Sequence, residues 1–568
     1  MSSTQKLLGS TSALTLVLAL TNKVPVDCPV SFDLSAFAPT WLPQSILARL
    51  QNPDFDALVA IGSVGGLLTA LALYLHRRSR FPPLVPYTNP VYGSTREYAE
   101  KPKEFLNAAF DKYGPVFRAN ILGRDQVILD HDYAQLLFTL LGKGLDHEQG
   151  VIDLQYFDVI IKLGSQHHLH DSGKMILKYL NPASPSYETY GPIVQLVYQK
   201  AFKEALEKMN EKNSIDVEDP FDLCKKCLAD AMASVIVGVD LANDKDITWV
   251  FINVSEVVAE MGGLEGHGSL ASILPFYGRL HAYYVMKVRQ VMKPYKTVLR
   301  AKVGAEINRR MALRQTVTEQ QWKEIRPHDV LQGLLEEHGF GSGAIKVDDF
   351  MGKIENMLLF VIFAAIHGTA VALSWVLYLV ATDSAYQKQI YDELTDLVNG
   401  TDDASGLTPS VLKSAKYLDS FTREVLRWRP DCLSPTPRKA MKDLTLPNGY
   451  IIPKGMLVTH VFYRTHVNNE KQNCEDSKEF RPWRHVGKPA ATSVNVSNSF
   501  LTFGVGKTAC PGRYLATYEI KLFIALLVSR YKMSLPKGIT VDQPGFTFQA
   551  PPSGTITFKQ RALEDILL

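Results

Sequence analysis

Three long apolar runs organise the hydrophobic pattern of this chain. Residues 57–75 are 19 consecutive uncharged, mostly apolar positions. A helix of that length reaches about 28 Å, enough to cross the hydrocarbon core of a bilayer. Asp54 and Asp56 precede the run, and His76, Arg77, Arg78 and Arg80 follow it. Basic flanks favour the cytoplasmic side, so the pattern predicts a single-span anchor with the bulk of the chain in the cytosol. An earlier stretch, residues 7–21, reads as a signal-like segment, a second span or a helix lying on the bilayer. The third run, residues 357–382, contains no Asp, Glu, Lys or Arg. Its length alone would suit a membrane span. It lacks the basic flank of the first run, and its middle reads Ala364-Ala365-Ile366-His367-Gly368-Thr369. It is therefore read as the central, all-round buried helix of a large domain.

Composition narrows the picture only a little. Of 568 residues, 46% are hydrophobic and 21% charged, an ordinary globular balance. A net charge of +3 gives no global argument for nucleic acid as a partner. Six cysteines, at 28, 224, 227, 432, 474 and 510, are too few and too scattered for a disulfide framework. Cys224 and Cys227 lie in a helical pattern without a second pair, which reads as helix packing. The segment Phe81-Pro82-Pro83-Leu84-Val85-Pro86 predicts a stiff, extended linker after the anchor.

The sharpest chemical signal is Phe503-Gly504-Val505-Gly506-Lys507-Thr508-Ala509-Cys510-Pro511-Gly512-Arg513. It follows a strand-like stretch and opens an apolar helix running to about Val528. Glycines let the backbone wrap closely around a sulfur and turn amide groups toward it. The following helix N-terminus adds positive potential, which stabilises a thiolate. No second cysteine or histidine stands at zinc spacing nearby. A lone cysteine in a turn is ordinarily structural; here the reading must account for Phe503, both glycines, Pro511, Gly512 and Arg513 together.

At these residues the sequence resembles the cytochrome P450 family, and fungal microsomal members of secondary metabolism within it. Phe503, Gly506, Cys510 and Gly512 match the family's haem-binding pattern. Glu424-Val-Leu-Arg427 matches its Glu-x-x-Arg element, and Phe480-Arg-Pro482-Trp-Arg484 its later Phe-x-Pro-x-Arg element. The resemblance covers roughly residues 82–562. It implies a mainly α fold with small β-sheets, an N-terminal transmembrane helix, and haem b (iron protoporphyrin IX) with Cys510 as its metal ligand. It implies a buried network of Glu424, Arg427 and Arg484, and Arg438 facing a haem propionate. Thr508 stands where the family often carries His or Arg toward a propionate, and His168 and Lys174 stand where its C helix supplies such contacts. The expected domains are residues 1–56, lumenal; 57–75, the anchor; 76–90, a basic and proline-rich linker; and 91–568, the catalytic domain.

The same resemblance makes residues 357–382 the helix, named I, that crosses over the haem. Its usual acid–threonine pair is replaced by His367 and Gly368, with Thr369 one residue on. Acid and threonine normally organise proton delivery to bound dioxygen. Histidine can relay protons, but Thr369 lies about 100° around the helix and needs a π-type bulge at Gly368 to be re-aimed. Expected pocket residues are Val361, Phe363, Ala364, Ala365, Leu433, Ser434, Pro437 and Phe546, mostly apolar and suited to a lipophilic substrate. No nucleotide- or flavin-binding segment is evident, so NADPH-cytochrome P450 reductase, with cytochrome b5 as a further donor, is the implied partner at the endoplasmic reticulum membrane. Lys507, Arg513 and Lys521 are candidates for steering it.

Three readings follow. One is a monooxygenase that hydroxylates, epoxidises or desaturates a terpenoid, indole or polyketide with dioxygen and NADPH-derived electrons. The second, resting on Gly368, is a non-oxidative haem-thiolate isomerase, dehydratase or cyclase. The third is a haem protein that binds or senses without turnover.

Overall fold

The computed structural model describes residues 63–71, 79–89, 93–121, 124–140, 142–160, 168–180, 186–206, 213–261, 275–341, 345–399, 406–429, 437–536 and 554–562. The chain divides into two compact units, residues 1–81 with 445–451, and residues 82–444 with 452–568. In the first, residues 63–71 are helical and expose Val64, Leu67, Leu68 and Leu71. The Ile451 amide donates to the Arg80 carbonyl at 2.8 Å. The remainder of the 57–75 run, and all of 7–21, lie outside the described residues.

The second unit is mainly helical. The helices that concern us are, in chain order, α1 (Pro102–Tyr113), α2 (Ala134–Thr139), α3 (His147–Gln155), α4 (His168–Tyr179), α5 (Ser186–Leu206), α6 (Pro220–Val237), α7 (Lys245–Met261), α8 (Lys293–Thr316), α9 (Val347–Thr382), α10 (Ser384–Asn399), α11 (Lys416–Trp428) and α12 (Arg513–Arg530), with further helices between them. Eight strands concern us: β1 (Val116–Ile121), β2 (Arg124–Leu129), β3 (Leu145–Asp146), β4 (Ser214–Val217), β5 (Arg438–Ala440), β6 (Leu457–His460), β7 (Tyr531–Ser534) and β8 (Ile556–Gln560). They form a five-stranded sheet in the order β1-β2-β6-β5-β3 and a three-stranded sheet in the order β4-β8-β7.

The uncharged run 357–382 is the C-terminal part of α9, which begins ten residues earlier at Val347. At 1.5 Å per residue this helix is about 54 Å long. It passes the length and apolarity test for a membrane span, yet most of its apolar stretch is buried within the protein. Helices α6, α7, α8, α10, α11 and α12 all pack on it. This explains why apolar residues surround its whole circumference. Cys224 and Cys227 are buried in α6 against this core, as expected of packing residues, and burial pushes the Cys224 thiol up to about 12. The proline-rich segment is extended and docked: the Arg118 amide donates to the Pro83 carbonyl at 2.7 Å, and the Val85 amide to the Arg118 carbonyl at 2.8 Å.

Sheet and helix approach closely at α3. Asp146 caps that helix by accepting from the Gln149 amide at 2.9 Å. One turn in, a Cβ added at Gly150 would lie 2.1 Å from the Pro437 carbonyl oxygen and 2.9 Å from the Arg438 Cα. Both obstacles are backbone, so Gly150→Ala must push α3 and β5 apart. We expect a loss of about 1–3 kcal/mol, measured as a lower denaturant midpoint with an unchanged slope.

Candidate haem-thiolate site

The cysteine loop is built by its glycines. Gly504 and Gly506 have φ of +67° and +70°, a region that side chains with a Cβ rarely adopt. These two reversals fold the loop so that the Cys510 amide donates to the Phe503 carbonyl at 2.7 Å, and the Ala509 amide to Gly506 at 3.1 Å. Arg513 fixes the exit by donating to the Cys510 carbonyl at 2.8 Å and to the Val494 carbonyl at 3.2 Å. The result presents Cys510 at the surface, immediately before the N-terminus of the 18-residue α12. That position favours the anionic form of the thiol. Gly512 leaves room beside it: a Cβ there would come within 3.9 Å of Sγ.

A second open position lies on α9. Ala364 is exposed although Val361, Ile362 and Ile366 are buried. Ala364 is thus an open position in the middle of an otherwise packed helix. Phe363 and Ala365 are half-buried, and Phe363 meets Phe157 edge-on at 5.6 Å. His367 is half-buried. Burial lowers its pKa below the usual histidine range, while Glu256 and Lys225, an ion pair joining α6 and α7, push it in opposite directions. Thr369 is buried, and α9 is α-helical through Gly368 without interruption. The π-type bulge needed to re-aim Thr369 is therefore not present. The backbone ladder is satisfied without one, and packing on several sides holds the helix regular.

The charged network is complete. Glu424 and Arg427 are buried on α11, and Arg427 grips the carboxylate bidentately, Nε to Oε2 and Nη2 to Oε1, both at 2.8 Å. Arg484 Nε adds a bond to Oε1 at 3.0 Å, and the Arg481 amide another at 3.0 Å. Arg427 also donates to the carbonyls of His466, Ser477 and Glu479. Burial pushes the Glu424 carboxyl up, but the bonds from Arg427 and His485 and the charge of Arg427 outweigh it and leave it at about 2. Sequence reasoning missed His485, whose ring meets Glu424 at 3.1 Å, and Asp476, which pairs with Arg484. The one signal for His485 is its place directly after Arg484.

Arg438 lies buried on β5, with Nη2 3.4 Å from the Thr508 hydroxyl that accepts from it. The structure thus brings together two positions expected to face one haem. Burial lowers the Arg438 pKa to about 10. Pro437 is buried beside it; Lys174 is exposed on α4. Leu433, Ser434, Phe546 and the side chain of His168 lie outside the described residues. Of the steering candidates, Lys507 is exposed and Arg513 is tied into the loop. Lys521 is corrected: it is buried on α12 and donates to Asp419 at 3.0 Å and to the Leu412 carbonyl at 3.1 Å, so it cannot face a partner.

The profile of the Cytochrome P450 family matches residues 82–557. The chain belongs to that family of haem-containing oxidoreductases. It is 25% identical over 518 residues to Cytochrome P450 monooxygenase 71 of Postia placenta, covering 88% of this chain and 98% of that one. It is 26% identical over 357 residues to Cytochrome P450 monooxygenase braC of Annulohypoxylon truncatum, covering 60% and 67%. Among solved structures, retinoic acid-bound cyanobacterial CYP120A1 is similar in fold, with a TM-score of 0.61 at 19% identity over 85% of this chain and 99% of that one. Family membership implies haem, and the residues present suit it: an accessible cysteine before a helix N-terminus, a glycine-lined loop, and a buried arginine beside Thr508. Among the described residues no cluster of His, Cys, Asp or Glu offers a competing metal site.

Proposed function

We propose that this protein is a membrane-anchored monooxygenase acting on a lipophilic secondary metabolite, a terpenoid, indole or polyketide. The observation that carries the chemistry is the accessible Cys510 at the head of α12, held by the Phe503 and Arg513 contacts. Haem ligated there supplies dioxygen activation, with thiolate electron donation favouring O–O cleavage. The chain's part is to hold the sulfur, exclude water and place the substrate. Ala364 and the half-buried Phe363 and Ala365 give one wall a small, apolar surface that suits a lipophilic guest. Electrons come from NADPH through a separate reductase, with cytochrome b5 as a second donor, and exposed Lys507 is available to an acidic partner. Four exposed apolar side chains on residues 63–71 support the anchor. The basic residues after it support an endoplasmic reticulum location with the catalytic unit cytosolic.

His367 holds the place of a proton relay at the middle of α9. Its lowered pKa keeps the ring neutral at pH 7, able to accept and pass on one proton. With Gly368 beside it and Thr369 packed away, the hydroxyl of the relay must come from the substrate or from water. Gly368→Thr is therefore expected to move electron flow from peroxide to product, measured as the peroxide-to-product ratio per NADPH consumed. An unchanged ratio would remove position 368 from the proton route.

The deciding experiment reconstitutes the full chain with reductase, NADPH and a lipophilic extract. NADPH consumption that depends on substrate, with products that have gained oxygen or lost hydrogen, is the expected result. Products that are isomers of the substrate, formed without NADPH, would replace the monooxygenase with a non-oxidative haem-thiolate enzyme. Gly368 in an unbroken α9 is the observation favouring that second reading.

A further inference from the structure

We infer that His466 is a positioning residue for the cysteine loop: its imidazole ties the segment entering the loop to α11, so that the network of Glu424 and Arg427 sets where the sulfur of Cys510 sits. The inference rests on the haem-thiolate reading above. His466 ends the short helix Phe462–His466 and is fully buried. Its Nε2 accepts from the Leu501 amide at 2.8 Å. That bond leaves the ring proton on Nδ1, which donates to the Arg427 carbonyl at 3.1 Å. Arg427 returns a bond from Nη1 to the His466 carbonyl. The two residues therefore hold each other in both directions, and the same guanidinium grips Glu424. Burial first, and then the charge of Arg427, lower the His466 pKa to about 3, so the ring stays neutral with Nε2 open to accept.

Leu501 stands at the root of the loop. Its amide goes to His466, and its carbonyl accepts from the Gly504 amide at 2.7 Å. Further on, the Cys510 amide closes on the Phe503 carbonyl. Gly504 and Gly506 are the least restrained of residues in backbone conformation, so the direction of the loop has to be set where it starts. Neighbouring contacts reinforce the same root. The His466 ring runs nearly parallel to that of Phe500, 5.8 Å away, and to that of Phe462, 6.3 Å away. The Arg423 guanidinium of α11 lies 3.9 Å over Phe500, and the Thr502 hydroxyl donates to the Leu426 carbonyl at 2.8 Å. Of these links, the histidine's is the one that takes a main-chain amide. Leu501 is itself fully buried, so water cannot replace the imidazole, and an amide left unpaired there is costly.

The test follows the ferrous–carbonyl complex of the full-length protein, whose thiolate-type band is lost when the sulfur gains a proton or leaves the iron, with the ferric–ferrous midpoint potential alongside. His466→Phe keeps an aromatic ring and loses both side-chain bonds. Its band is expected to decay about tenfold faster, the factor one net hydrogen bond supplies, and its potential to move positive as thiolate donation weakens. His466→Asn puts an amide in the place of Nδ1, keeps the Arg427 bond and stops short of Leu501, so it should behave as the phenylalanine variant does. His466→Gln reaches Leu501 and should return band lifetime and potential to the intact values. A band as long-lived as the intact one in the phenylalanine or asparagine variant, at an unchanged potential, would overturn the inference whatever the urea midpoint of the haem-free protein, because His466 would then serve the fold alone. Fast decay in the glutamine variant would overturn it as well, since the Leu501 bond would not be the cause. Should the phenylalanine variant not be recovered folded, the asparagine and glutamine pair decides the matter. A thiolate-type band missing from the intact protein defeats instead the haem-thiolate reading on which the inference stands.

Discussion

Replacing Glu424 by alanine is expected to cost about 3–5 kcal/mol, the toll of leaving a buried cation unpaired. Arg427 is 1% exposed and Glu424 is not exposed at all, so water cannot reach in to replace the lost carboxylate. A typical domain is stable by about 5–15 kcal/mol, so one substitution would remove much of the total. The expected observation is poor recovery of folded protein and a much lower urea midpoint. A double replacement, Glu424→Leu with Arg427→Leu, removes both charges and should be less damaging than Glu424→Ala alone. It will not be harmless, because Arg427 also holds the carbonyls of His466, Ser477 and Glu479. If the double variant is the worse of the two, the network contributes mainly through those carbonyl bonds. The pH dependence has a definite sign. Glu424 sits at about 2 when folded against an ordinary 4.5. Its contribution is therefore complete above pH 4.5 and is lost as pH falls toward 2. Intact protein should weaken across that window, and the double variant should show a shallower fall.

How far the chain could be read without coordinates depended on whether partners were neighbours in sequence. Glu424 and Arg427, one helical turn apart, were legible, as was the glycine-framed Cys510. The run 357–382 gave the central helix but not its beginning. Asp348, Asp349, Lys353 and Glu355 lie in its first turns, so charge broke the apolar pattern where the helix did not end. Glu355 is buried there because Arg300 of α8 pairs with it at 2.6 Å, a compensation no local pattern reveals. Lys521 failed for the same reason. Its partner Asp419 lies about a hundred residues away, and an isolated lysine near the cysteine loop looks like surface until that partner is placed. The five-stranded sheet was hardest. Its strands are two to six residues long, and β2 meets β6 in parallel across more than three hundred residues of chain. The antiparallel pairing of β5 with β6 sets Arg438 and His460 on one face, and the short β3 brings His147 alongside, so that grouping could not be seen in the sequence.

Cys510→Ala should separate chemistry from folding more cleanly than any other substitution. The side chain is exposed on its loop, and the loop's own bonds run through backbone: the Cys510 amide to Phe503, and Arg513 to the Cys510 carbonyl. Alanine keeps both of these backbone bonds. The haem-free protein should therefore unfold within about 0.5 kcal/mol of the intact chain, as surface substitutions do. Turnover should vanish, because nothing else in the loop can donate a thiolate to iron. The contrast with Glu424→Ala is the useful part: one variant loses stability and with it activity, the other activity alone. Cells carrying the intact chain or the alanine variant, compared by mass spectrometry of their extracts, would show a compound accumulating only with the variant. A gain of oxygen or loss of hydrogen between that compound and its counterpart would identify the substrate and the reaction together. A variant that still converts the compound would show that the sulfur of Cys510 is not the ligand on which the chemistry depends, and the reading of the site would fall with it.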